Sequence, residues 1–194
     1  MNLISLFITS ILSENIVLTK FLGLCPFFGN SNKEKNAISM GICVTVVTTI
    51  SSILTYFIYH YILVPTKTEY LNTLMFILVI ASLVQLLVLI IKNKYKKLYK
   101  SLGIYLSLIT TNCAVLGVVL LNINNNYNLV ETITYSLGAS IGFMMIIYVF
   151  STIRERLENS DIPKCFQGIP IALITASIMA LIFERFKGLW AIYY

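Results

Sequence analysis

Six runs of apolar residues alternate with short polar stretches along this chain. The runs cover approximately 2–28, 37–64, 71–91, 101–121, 131–153 and 169–187. A transmembrane helix takes about 20 apolar residues, so each run is long enough to cross a bilayer. The first polar stretch runs from Asn30 to Lys35, and the second holds Pro65, Lys67 and Glu69. The third is a basic run of Lys92, Lys94, Lys96, Lys97 and Lys100. The fourth is Asn-rich, from Asn122 to Asn128, and the fifth runs from Arg154 through Pro163 to Lys164. None is long enough to link two domains. The pattern predicts a single membrane domain over 1–194, an all-α bundle of six transmembrane helices. The opening MNLISLFITS has no basic stretch and no cleavage site, and reads as the start of a retained helix.

Composition narrows the class. Apolar residues make up 58% of the chain and charged residues 11%, against about 25% charged in soluble domains. This excludes an ordinary soluble globule, and a disordered chain needs the opposite balance. The net charge of +6 would suggest nucleic acid in a soluble protein. Here the basic residues sit between apolar runs and act as a topogenic signal, so no nucleic-acid partner is expected. Stretches one, three and five carry ten Lys and Arg against three on the other side. That bias places those loops in the cytoplasm and both termini outside. Trp190, Tyr193 and Tyr194 suit an outer interfacial belt, and His60 reads as interfacial too. Six helices divide into two groups of three, so a repeat must be inverted, with halves near 1–94 and 95–194.

Two clusters carry the candidate chemistry. Ser13-Glu14-Asn15 and Thr19-Lys20 precede FLGLCPF, in which Gly23 and Pro26 bracket Cys25. Ionisable groups in an apolar segment are costly unless satisfied, so Glu14 and Lys20 are either a mutual pair or part of an ion pathway. Pro26 interrupts a regular helix, which predicts a break near Cys25. The second cluster is Thr110-Thr111-Asn112-Cys113. Asn112 can donate two hydrogen bonds and accept two, and so can bind freed backbone groups or sulfur. Cys43 and Cys165 read as small core residues. For Cys25 and Cys113 three readings stand: core residues, a disulfide, or ligands of a metal or cluster. An iron–sulfur cluster takes four thiolates, so two must then come from another chain.

The remaining features read as packing. Gly138 and Gly142 form a GxxxG, and Ala172, Ala176 and Ala180 form a small-residue face. Thr45, Thr48, Thr49, Ser52 and Thr55 form a hydroxyl stripe, read as bonding between helices. No phosphate loop and no Ser/His/Asp set is present, so no complete catalytic site is expected in this chain.

FLGLCPF around Cys25, LITTNCAVLGVVLLNIN around Cys113, IRERLENSDIP and FQGIPIALITA closely resemble the Rnf–Nqr family of membrane subunits. The resemblance runs from Asn15 to Gly188. Pro26 and Thr111-Asn112-Cys113 favour the Rnf form over the Nqr form. The resemblance implies six helices in two inverted repeats, with both termini outside and an RnfE-like homologous subunit of opposite topology as partner. It implies an intramembrane [2Fe–2S] cluster shared with that subunit, with Cys25 and Cys113 as this chain's ligands and Gly23, Pro26, Thr111 and Asn112 around them. The expected function is electron relay in an ion-translocating ferredoxin:NAD oxidoreductase, coupled to Na or proton export, alongside its iron–sulfur and flavin subunits. The alternative is a redox-free inverted-repeat transporter or scaffold subunit with structural cysteines. Three positions depart from the family pattern. Val88 stands where a Glu is common, Ser107 where a Pro is common, and Glu14 where the Rnf form usually has Asn.

Overall fold

The computed structural model describes residues 3–12, 14–30, 34–64, 72–94, 112–158, 160, 163 and 165–191. The chain is an all-α, membrane-embedded helical bundle. Its described helices are α1 (Leu3–Leu12), α2 (Ile16–Lys20), α3 (Leu24–Asn30), α4 (Glu34–Ile58), α5 (Asn72–Lys94), α6 (Cys113–Asn124), α7 (Leu129–Glu158) and α8 (Ile169–Ala191). A π-helical turn, Tyr59–Leu63, continues α4. The segments Ala37–Leu63, Thr73–Ile90 and Leu129–Leu157 are long and apolar enough to cross a membrane. Ser13, Thr110, Thr111, Ser107, the stretch from Tyr95 to Lys100, and Tyr193 and Tyr194 lie outside the described residues.

The distribution of polarity on α4 is inverted relative to a soluble helix. Ile42, Val46, Ile50, Leu54 and Phe57 are exposed, while Thr48, Ser51, Ser52 and Thr55 are buried. In lipid no hydrophobic force separates these faces, and small or hydroxyl residues go to the helix interface. The α5 helix carries the same mark, with Leu74, Ile77, Leu78, Leu86 and Leu89 exposed.

The core lies around α7, which packs most extensively on α4 and next on α1. Its buried residues Tyr135, Ala139, Phe143, Ile146, Ile147 and Phe150 recur at helical spacing on one face. Gly138 lets α1 come close. A Cβ there would meet Ser10 Oγ, and would lie 3.1 Å from the Phe7 carbonyl oxygen. At Gly142 a Cβ would lie 2.9 Å from the Ile11 carbonyl oxygen. The GxxxG is therefore the seat of α1, as close packing requires. Ala172, Ala176 and Ala180 face the core from α8.

The first apolar run does not form one helix. It breaks at Glu14–Asn15 and again at Phe21–Gly23, ahead of the expected place. Pro26 is buried inside α3, in its first turn. The missing N–H of a proline costs nothing there, because first-turn donors have no intrahelical acceptor. The break instead follows from Asn15, whose extended backbone and side chain cap α2, and from Phe21 and Gly23, both at positive φ.

The hydroxyl stripe also differs from expectation. Thr45, Thr48, Thr49 and Thr55 donate to carbonyls four residues back on α4 itself. Of the stripe, Ser52 makes the bond between helices, accepting from Ser136 at 2.8 Å. A threonine hydroxyl reaches its own helix before it reaches a neighbour.

Candidate functional site

Two asparagines, 97 positions apart in sequence, begin α2 and α6 in the same way. Asn15 (φ −61, ψ 115) accepts from the Val17 N–H at 3.2 Å, and Asn112 (φ −71, ψ 111) accepts from the Ala114 N–H at 3.0 Å. Each satisfies a helix-end donor that lipid cannot satisfy.

The breaks meet. The Gly23 N–H donates to Cys113 Sγ at 2.9 Å. Gly23 has φ +81, and a Cβ on it would lie 3.0 Å from Ala114 Cβ and 3.1 Å from Phe143 Cε2. Only glycine takes this conformation without strain in so narrow a space. Asn112 Oδ1 lies 3.4 Å from the same point. Gly23, Asn112 and Cys113 thus form one junction closed by Phe143 of α7.

The other predicted residues are dispersed. Cys25 is exposed on α3, as is Lys20 at the end of α2. Glu14 is half-buried and accepts from the Tyr135 hydroxyl at 3.3 Å. That bond ties the first break to α7. Val88 is half-buried against the core and supplies no carboxylate.

Sequence reading missed a second polar group. Asn122 Nδ2 donates to Ser136 Oγ at 3.0 Å, which in turn donates to Ser52 Oγ at 2.8 Å. This row joins α6, α7 and α4. Asn122 was expected in a loop, because it opens an Asn-rich run, yet it is buried within α6. The connection begins at Asn125, with Asn126 at φ 52. An asparagine tolerates that left-handed conformation. Glu131 Oε2 accepts from the Asn128 N–H at 3.0 Å, the carboxylate half of a capping box at the start of α7.

A family profile described as "Rnf-Nqr subunit, membrane protein" matches residues 3–190. The chain belongs to the Rnf-Nqr family. One relative is a component of the Na(+)-translocating ferredoxin:NAD(+) oxidoreductase complex of Acetobacterium woodii. That protein is 51% identical over 189 residues, covering 97% of this chain and 98% of the relative. A component of the ion-translocating oxidoreductase complex of Glaesserella parasuis is 52% identical over 186 residues, covering 96% of each chain. Its counterpart in Vibrio vulnificus is 50% identical over 186 residues, covering 96% of this chain and 97% of the relative. This Rnf-Nqr chain is thus a multi-pass bacterial membrane protein.

For the Rnf-Nqr chain the expected [2Fe–2S] cofactor, and with it the relay through a shared cluster, require correction. Among the described residues no group of three or more His, Cys, Asp or Glu comes together that can hold a metal ion. Cys113 is half-buried at the start of α6, Cys25 is exposed on α3, and all four cysteines are free. The disulfide reading of Cys25 and Cys113 is corrected by the same observation.

Proposed function

We propose that this chain is a non-catalytic, membrane-spanning subunit of an ion-translocating ferredoxin:NAD oxidoreductase complex, a redox-free transport or scaffold element with structural cysteines. The observation that carries the reading is the Gly23–Cys113 bond, in which a cysteine sulfur fixes the break after α2 to the start of α6. Broken helices at membrane depth occur where they are buried in protein or line a cavity. The assembly is supported by relatives that match almost end to end and are components of such complexes. The apolar outer face of α5 leaves surface for lipid and for other subunits of the complex, an RnfE-like homologous subunit of opposite topology among them.

The matching Asn15 and Asn112 caps support two inverted halves near 1–94 and 95–194. The bias of basic residues supports termini on the outer side. Within this plan Gly23, Pro26, Thr111 and Asn112 shape the junction, and Glu14 and Lys20 are the candidates for an ion path.

The reading is tested by Cys25→Ser and Cys113→Ser in the assembled complex. Both variants are expected to retain assembly and electron transfer from ferredoxin to NAD. Intact assembly with lost electron transfer overturns the redox-free reading.

A further inference from the structure

The α5 helix has two unlike sides. Phe76, Ile80 and Val84 are buried against the bundle. Leu78, Ser82, Gln85 and Leu89 are exposed. At 3.6 residues per turn the two sets fall on opposite faces of the helix. Of the three membrane-length segments among the described residues, Thr73–Ile90 is the least buried.

Lipid suits the leucines of this outer face but not Gln85. Every exposed residue of α4 from Ile42 to Phe57 is apolar, as a lipid-facing row should be. The carboxamides of Asn15, Asn112 and Asn122 are buried and bonded within the chain. The carboxamide of Gln85 is exposed and bonds to no described residue. It sits about 5 Å along the axis from the middle of Thr73–Ile90, at a depth where no water is available to pair with it. Ser82, one turn away on the same face, makes no such bond either. The exposed Ser177, by contrast, donates to the carbonyl four residues back on its own helix.

Leu78, Ser82, Gln85 and Leu89 follow one another at intervals of four, three and four, the spacing of a seam on which a second helix packs. Helices in membranes commonly cross in this way, with polar side chains bonding across the contact. A polar residue within an apolar seam fixes the register of the partner. The end of the helix says which partner fits. Lys92 and Lys94 end α5, and Lys96, Lys97 and Lys100 follow in sequence. A second copy on this seam, in the same membrane orientation, would set two such basic runs side by side. Like charges so placed repel, and a neighbour with acidic residues there is attracted instead.

We propose that the Leu78–Ser82–Gln85–Leu89 face of α5 receives one transmembrane helix of another subunit. That helix presents a hydrogen-bonding side chain at the level of Gln85 and carries acidic residues beside the lysine run. The inference deepens the assembly reading and rests on it.

The test uses the full chain in its native membranes. Photoreactive benzoylphenylalanine replaces Leu89, which leaves Gln85 intact, and the adducts are identified by mass spectrometry. The expected product joins this chain to a membrane-spanning segment of another subunit. Adducts with lipid alone, with this chain's own residues or with a second copy overturn the site. Gln85→Leu supplies the second arm. The isolated variant in detergent should keep the parent's thermal midpoint, because the amide has no partner among the described residues. Retention of the other subunits on the affinity-purified variant should fall about threefold, the typical worth of a hydrogen bond between helices in a membrane. Unchanged retention overturns the site. A lowered midpoint in the isolated variant overturns it as well, since the amide would then have a partner inside the chain. Co-purification of the other subunits with the parent chain is scored separately. Where it stands and the adduct with another subunit is absent, the site fails and the assembly reading does not.

Discussion

The backbone N–H of Gly23 points at the sulfur of Cys113, 2.9 Å away and 90 residues distant in sequence. The contact exists because Gly23 sits at φ +81 with Ala114 and Phe143 pressed against it. A chain break from the first apolar run is thereby docked on the start of α6. Gly23→Ala adds a Cβ at 3.0 Å from Ala114 and forces a left-handed conformation on an L side chain. It should destabilise the protein by about 1–3 kcal/mol, read as a lower thermal midpoint in detergent. Cys113→Ser keeps an acceptor and should stay near the parent. Cys113→Val leaves the Gly23 N–H unpaired and should cost about 1–3 kcal/mol.

Seating α1 on α7 depends on Gly138. A Cβ there would meet Ser10 Oγ, and the Phe7 carbonyl oxygen lies 3.1 Å from the same point. Gly138→Val should push α1 off and cost about 1–3 kcal/mol, the usual range for overpacking. Proteolysis or cysteine labelling near the start of the chain should rise in the variant. Ser10→Gly combined with Gly138→Ala should recover part of the loss, since the clash is with the Ser10 side chain.

The Asn122–Ser136–Ser52 row predicts coupling between residues on three helices. Such bonds in membranes are worth about 0.6 kcal/mol on average. Ser136→Ala removes both links at once and should lower stability more than Ser52→Ala. A double-mutant cycle between Ser52 and Ser136 should show non-additivity, as residues in one network do. Strict additivity would mean that the row contributes nothing.

Alkaline pH supplies another handle. Burial pushes the Tyr127 hydroxyl above its ordinary range, with Glu14 and Glu131 acting in the same direction. The unfolded chain then releases this proton first as pH rises past about 10. Above that point the unfolded state binds fewer protons than the folded state, so stability falls with pH until the folded group also titrates. Tyr127→Phe should flatten that part of the stability–pH curve. An unchanged slope would show that Tyr127 titrates alike in both states.

Much of this arrangement is legible in the residues. The apolar runs mark α4, α5, α7 and α8 because each long helix meets lipid along one side, and lipid demands apolar side chains without interruption. GxxxG marks the seat of α1, since close approach needs the missing Cβ. The break position is less legible. Pro26 signals an interruption but is accommodated in the first turn of α3, while Asn15 performs the interruption through its side chain. The Asn122 row is not legible at all. Nothing in a hydroxyl stripe says which helix it faces, and Asn122 looks like the first residue of a polar loop. Tyr135 is hidden for the same reason: its bond to Glu14 spans 121 positions and leaves no periodic trace. The family resemblance is carried by the residues, but the cofactor it implied finds no donor group among the described residues.

Membership of a larger membrane assembly is tested most directly by affinity purification through this chain from mildly solubilised native membranes, followed by mass spectrometry of the intact complex. The chain is expected to leave the membrane together with a homologous six-helix partner and the redox subunits of an ion-translocating oxidoreductase, in fixed stoichiometry. Recovery of this chain by itself, or only as copies of itself, from membranes that contain those subunits would contradict the proposed role.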